Sequence, residues 1–204
     1  NNQTILDKTI KKAQKMKSSR INVVINKDYN SFIKKYPKIN FIFQTKRLGT
    51  GHAVMSFLKK KKKINNNLLI MMGDAPSINY NSIKDVVKKN NNIPIVLLGA
   101  YLKKNYSNGM IQFKKKKIIR IKEFSFLNKN EKINCLCNTG IMGIQKKYIK
   151  NIYLIKKNKS KKEFLLTDIV NIGYKKQIDI GLVLTNASPL SFGINTLKDL
   201  KLHC

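Results

Sequence analysis

Two short stretches of this chain combine residue types that could do chemistry. The first is Gln44-Thr45-Lys46-Arg47-Leu48-Gly49-Thr50-Gly51-His52-Ala53, in which a strand end gives way to a glycine turn and a helical pattern. The second is Met72-Gly73-Asp74-Ala75-Pro76, where an apolar strand runs into an acid and a turn. Backbone N–H groups at the start of a helix are unpaired and can receive a phosphate or a base edge, which gives Gly49 and Thr50 a possible ligand role. A simple turn and cap is the other reading of the same two residues. Asp74 at a strand end suits Mg²⁺, which prefers few carboxylates and takes its remaining ligands from water and phosphate. Its alternative is a turn or capping acid.

A second set lies further along. Glu123 closes a hairpin strand, and Asn138-Thr139-Gly140 interrupts an apolar run. A buried acid and a buried amide need partners, and the hydroxyl and acetamido groups of a sugar would supply them. A local turn or edge contact would serve as well. Asn195 follows Phe192-Gly193-Ile194 and reads as a cap for a helix over Thr196 to Leu202, as a ligand, or as both. His52 sits inside a helical pattern without an evident orienting partner, which argues against a catalytic base. No residue stands out as a nucleophile or general base.

The elements that must position these residues alternate. The pattern predicts helices over Thr4 to Lys17, Gly51 to Lys60, Asn79 to Asn90, Lys146 to Ile155 and Leu165 to Lys176. Short apolar runs predict strands over Ile21 to Ile25, Ile39 to Phe43, Leu68 to Met72, Ile93 to Tyr101, Leu136 to Ile144 and Ile180 to Thr185. Met110 to Phe113 and Ile118 to Glu123 read as a hairpin across a lysine turn. Strands alternating with helices imply an α/β fold with a mixed, mainly parallel sheet, and ligands in such folds sit at the carboxyl ends of the strands. A length of 204 residues suits a single domain, 1–204.

Composition bounds the partners. Lys and Arg number 42 against 10 Asp and Glu, a net charge of +32. Most of the excess is lysine beside abundant Asn and Ile, the mixture that A/T-rich codons produce. The lysine runs are not interleaved with aromatics, so they lack stacking platforms for single strands. No specific nucleic-acid partner is expected. Three cysteines and two histidines make neither a disulfide framework nor a zinc site. Cys135 and Cys137, one residue apart, are placed on opposite faces of their strand. No apolar run has the length of a membrane span, and a cytoplasmic location is expected.

Taken together, these segments resemble the sugar-nucleotide pyrophosphorylases, and among them the uridylyltransferase domain of bacterial N-acetylglucosamine-1-phosphate uridylyltransferases. The resemblance runs over essentially the whole chain. Gln44 with Leu48 to Ala53 resembles that family's uracil-reading segment, and Met72-Gly73-Asp74 its strand-end metal motif. Gly109, Glu123 and Asn138-Thr139-Gly140 resemble its acetylglucosamine pocket; Glu163 to Ile169 resembles the start of one of its helices, and Gly193-Ile194-Asn195 its Gly-Val-Asn turn. The resemblance implies a Rossmann-like three-layer α/β/α fold of the nucleotide-diphospho-sugar transferase type. It implies UTP and N-acetylglucosamine 1-phosphate as substrates, UDP-N-acetylglucosamine as product, and a role in cell-wall precursor synthesis. It also implies Mg²⁺ held by Asp74 and Asn195, with Gln44, Gly49, Thr50, Met72, Gly73, Gly109, Glu123 and Asn138 around the substrates. The family's Gly-rich phosphate loop and its acetyltransferase half have no counterpart in this sequence. The expectation is therefore a uridylyltransferase domain truncated at its start, oligomeric if an acetyltransferase half exists. Another sugar or nucleotide, or a non-catalytic basic remnant that binds polyanions, are the alternatives.

Overall fold

The computed structural model describes residues 3–16, 20–26, 31–61, 63–105, 107–186, 192–194 and 201. Helix α1 (Ile5–Lys15) begins at a reciprocal cap: the Asp7 N–H donates to the Thr4 hydroxyl, and the Asp7 carboxylate accepts from the Thr4 N–H. Strand β1 (Asn22–Ile25) pairs in parallel with β2 (Asn40–Phe43), and a short helix α2 (Ser31–Lys35), absent from the sequence expectation, lies between them. Helix α3 (Thr50–Lys60) follows β2. Then come β3 (Leu68–Ile70), α4 (Tyr80–Asn90) capped by Asn79, and β4 (Ile95–Lys104). The hairpin β5 (Met110–Lys114) and β6 (Lys117–Lys122), the long β7 (Ile133–Ile144), α5 (Asp168–Lys175) and β8 (Ile180–Leu184) complete the order.

The main sheet runs β6-β5-β7-β4-β8, with β3 against the far half of β7. Strands β3, β4, β5 and β8 share one direction, while β6 and β7 oppose them. Because β7 is inserted between β3 and β4, most hydrogen-bonded neighbours are antiparallel although most strands run the same way. Alternation along β4 shows the layering. Ile95 and Leu97 join a core with α3 and α5, whereas Val96 and Leu98 join one with Ile83 and Val86 of α4. The sheet is therefore covered on both faces, as a three-layer α/β/α fold requires.

Three expectations change. Lys146–Leu154 is a 3₁₀-helix and not an α-helix. Ile149, Ile152 and Ile155 are all buried, and their spacing of three matches three residues per turn. Helix α5 starts at Asp168, three residues late: the carbonyls of Leu165, Leu166 and Thr167 accept from the N–H groups of Asp168, Ile169 and Val170, the i→i+3 bonding of a tighter turn ahead of the α-helix. Cys135 and Cys137 are on the same face, with sulfurs 3.4 Å apart, since residues i and i+2 of a strand point the same way. Both are buried free thiols, and burial pushes the Cys137 thiol up.

Candidate active site

A cavity of about 540 Å³ opens at the carboxyl end of β3, between the loop that starts α3 and the mouth of the β5–β6 hairpin. Gln44, Gly49, Thr50, Met72, Asp74, Gly109, Glu123 and Asn138 all line it. Gly73 does not, and Asn195 with its expected helix lies outside the described residues.

On one wall, Gly49 precedes α3 with φ +92°, and a Cβ there would stand 2.7 Å from the Phe164 carbonyl oxygen. Only glycine fits both the left-handed backbone and that approach. The loop is sewn to Glu163–Leu166: Phe164 N–H donates to the Leu48 carbonyl at 2.8 Å, and Gly51 N–H donates to the Phe164 carbonyl at 2.8 Å. Gln44 is set from within the same loop. Its Nε2 donates to the Gly49 carbonyl at 3.2 Å and lies 2.9 Å from His52 Nδ1. His52 thus has a partner that the sequence did not reveal, though it is an amide and not a carboxylate. The Gln44 carbonyl oxygen is the end of that amide left over by these bonds. Thr50 uses its hydroxyl on Leu166, so its side chain fastens the loop, and a ligand would meet its backbone.

At the floor, β3 ends at Ile70, two residues before the expected Met72. The pairing of β7 with β4 is irregular between Asn138 and Met142, and at Gly140, inside that stretch, φ is +83° and a Cβ would come within 2.6 Å of Met72 Cγ. Asp74 follows. The Ile194 N–H holds its carbonyl at 2.9 Å, and Gly193 packs so close that a Cβ would meet Asp74 Oδ2 at 2.7 Å. Asp74 Oδ1 is buried and has no hydrogen-bond partner among the described residues. Burial pushes its carboxyl above the usual aspartate range. An orphaned, desolvated carboxylate oxygen favours a cation beside it, and the donor chemistry suits Mg²⁺. No cluster of three or more His, Cys, Asp and Glu exists among the described residues, so any metal would complete its shell from elsewhere.

The opposite wall carries Asn138, whose N–H donates to the Gly109 carbonyl at 2.8 Å and whose Oδ1 is a second buried oxygen without a partner. A buried acceptor left alone costs about 1–3 kcal/mol, which a donor on a ligand would recover. Glu123 follows β6 directly, with its carboxylate uncommitted to capping the turn at Phe124–Phe126. Its Oε1 accepts from the Thr167 hydroxyl at 2.6 Å, and its Oε2 lies 3.4 Å from Lys161 Nζ. Burial, followed by the nearby Glu123 charge, raises the Asp168 carboxyl. The sequence reading left Lys161, Thr167 and Arg47 out of the site although they line the cavity. The turn composition Asn158-Lys159-Ser160 was the available signal that residues 157–164 fold back on themselves.

No protein-family profile matches the chain. The bifunctional protein GlmU of Buchnera aphidicola subsp. Baizongia pistaciae is 34% identical over 200 residues, covering 96% of this chain and 44% of that protein. The chain is a relative of the bifunctional GlmU proteins. GlmU of Wigglesworthia glossinidia brevipalpis is 32% identical, covering 94% of the chain and 43% of its own length. GlmU of Thermodesulfovibrio yellowstonii is 31% identical, covering 97% and 44%. The chain thus spans less than half the length of the GlmU proteins it matches. Among solved structures, CMP:2-keto-3-deoxy-manno-octonic acid synthetase complexed with CTP superposes with a TM-score of 0.67 at 10% identity, over 98% of this chain and 85% of that one. That likeness shows a shared fold alone. Among the described residues no helix is long and apolar enough to cross a membrane.

Proposed function

We propose that this GlmU relative is a cytoplasmic uridylyltransferase that joins UTP and N-acetylglucosamine 1-phosphate into UDP-N-acetylglucosamine and pyrophosphate, for cell-wall precursors. The observation that carries the reading is the convergence on one cavity of a base-sized wall, a strand-end acid and a polar wall. Gln44 and the Gly49–Thr50 backbone form the first. The Gln44 carbonyl can accept from the imide N–H of uracil, and the uncapped start of α3 can donate to its carbonyl oxygens. Gly109, Glu123 and Asn138 form the second wall and take the sugar. Met72 shapes the floor between them.

In such a transfer an oxygen of the sugar phosphate attacks the α-phosphorus of UTP and pyrophosphate leaves. Little covalent chemistry falls to the protein, which acts by positioning and by neutralising charge. Asp74, with Asn195 as the expected second ligand, would hold Mg²⁺, which when bound neutralises phosphate charge. The two walls fix nucleotide and sugar so that the attacking oxygen and the α-phosphorus meet above Asp74. No side chain is assigned as nucleophile or general base.

The test is pyrophosphate release from UTP with N-acetylglucosamine 1-phosphate and Mg²⁺, alongside binding of UDP-N-acetylglucosamine. Saturable binding with release that needs the sugar phosphate is the expected result. Neither binding nor release, in this chain or in the longest natural form that contains it, would sink the reading.

A further inference from the structure

Lys161 reaches the cavity from a turn built on Asn158. Asn158 Oδ1 accepts from the N–H groups of Ser160 at 3.0 Å and Lys161 at 2.9 Å, and the Asn158 N–H donates to the Glu163 carbonyl at 2.7 Å. Lys157 pairs with Phe164 across the turn, and Lys162 turns the chain at φ +53°. Phe164 is in turn bonded to Leu48 and Gly51, so the turn is fixed to the wall that carries Gly49. The Lys161 backbone is therefore held in place, and its ammonium faces Glu123.

That ion pair is unlike the other two among the described residues. Lys122 meets both Glu131 oxygens at 2.8 Å, and Lys35 meets Asp7 at 2.8 Å. Lys161 stands 3.4 Å from Glu123, on the oxygen that Thr167 does not hold, and this is the one hydrogen bond its ammonium makes among the described residues. An ammonium has three donors and each carboxylate oxygen has spare lone pairs. The pair is open, and it presents a donor and an acceptor side by side. A hydroxyl matches it, donating to Glu123 while accepting from Lys161, with a charge-assisted bond at each end. A phosphate does not match, because Glu123 would repel it.

We infer that Lys161 is a specificity residue for the sugar, completing with Glu123 a two-ended seat for one ring hydroxyl. The inference rests on the uridylyltransferase reading and adds to it a residue outside the sugar-pocket motif.

The experiment compares the dissociation constants of UDP-N-acetylglucosamine and UDP, by calorimetric titration with Mg²⁺, for wild type, K161M and K161R. K161M keeps the aliphatic stem and loses every donor, so the affinity ratio of sugar nucleotide to UDP should fall roughly tenfold, the scale of one charged hydrogen bond. K161R, which retains donors, should fall less. An unchanged ratio in K161M would overturn the inference while leaving the functional reading intact. So would an equal loss for both ligands, which would mark Lys161 as a phosphate contact. Wild type that binds neither ligand would remove the functional reading and this inference together.

Discussion

At the residue scale the cavity is defined by two acceptors without donors among the described residues, Asp74 Oδ1 and Asn138 Oδ1. They predict opposite things. Burial raises the Asp74 carboxyl, so the fold prefers its protonated form. That preference stabilises below the ordinary aspartate value of about 4 and is lost as pH rises through the raised one. Asp74→Asn should therefore melt at or above the wild-type temperature at neutral pH, with the gap closing in acid. It should also abolish Mg²⁺-dependent turnover and any stabilisation by Mg²⁺ with nucleotide. Melting curves with and without metal across pH check this, and a variant that still gains stability from Mg²⁺ would refute the metal role. Asn138→Ala loses no internal bond from its side-chain oxygen. Its stability should change little, while sugar-nucleotide affinity should fall by about 1–3 kcal/mol. Titration and melting together separate the two effects. These positions were legible because strand-end acids and interrupted strands stand out in sequence. Lys161 was not, since a lysine among 42 basic residues carries no signal until the Asn158 turn aims it.

At the element scale, most helices and strands could be read from periodicity. What the sequence hid depended on tertiary partners. The Thr50–Leu166 bond ties the turn ahead of α5 to α3, the Ile149, Ile152 and Ile155 spacing favours 3₁₀ geometry, and β7 slips between β3 and β4 to oppose them. Strand direction leaves no mark on a short apolar run, so the antiparallel β7 was invisible. The β5–β6 hairpin shows a local conflict instead. Its two turn residues, Lys115 and Lys116, have φ of 46° and 63°, the left-handed region where Asn and Gly belong. Replacing them together, Lys115→Asn with Lys116→Gly, should raise stability by roughly 1 kcal/mol. Chemical denaturation reads this directly, and a loss of stability would mean that the lysines hold the turn through contacts of their own. The hairpin matters to the site because Gly109 and Glu123 flank it.

At the scale of the whole molecule, the net charge of +32 calls for an account that leaves the cavity alone. Lysines crowd the turn at Lys114–Lys117 and the last turns of α3 and α4, positions that place charge in solvent. Where structure asks for a particular residue, the lysines yield: the cavity keeps Gln44, Asp74, Glu123 and Asn138. A surface charged this way attracts any polyanion by releasing its counterions, and that gain falls steeply with salt. The lysine runs of the sequence are not interleaved with aromatics that could stack on bases, so the attraction should carry no sequence preference. Labelled duplex and single-stranded DNA of several sequences, titrated at low and at physiological salt, should bind alike at low salt and weaken together by orders of magnitude. UDP-N-acetylglucosamine should compete little, because the cavity is a small part of the basic surface. Tight binding of one sequence that survives physiological salt and is displaced by the sugar nucleotide would contradict this. It would make the cavity a nucleic-acid site and the charge a selected feature.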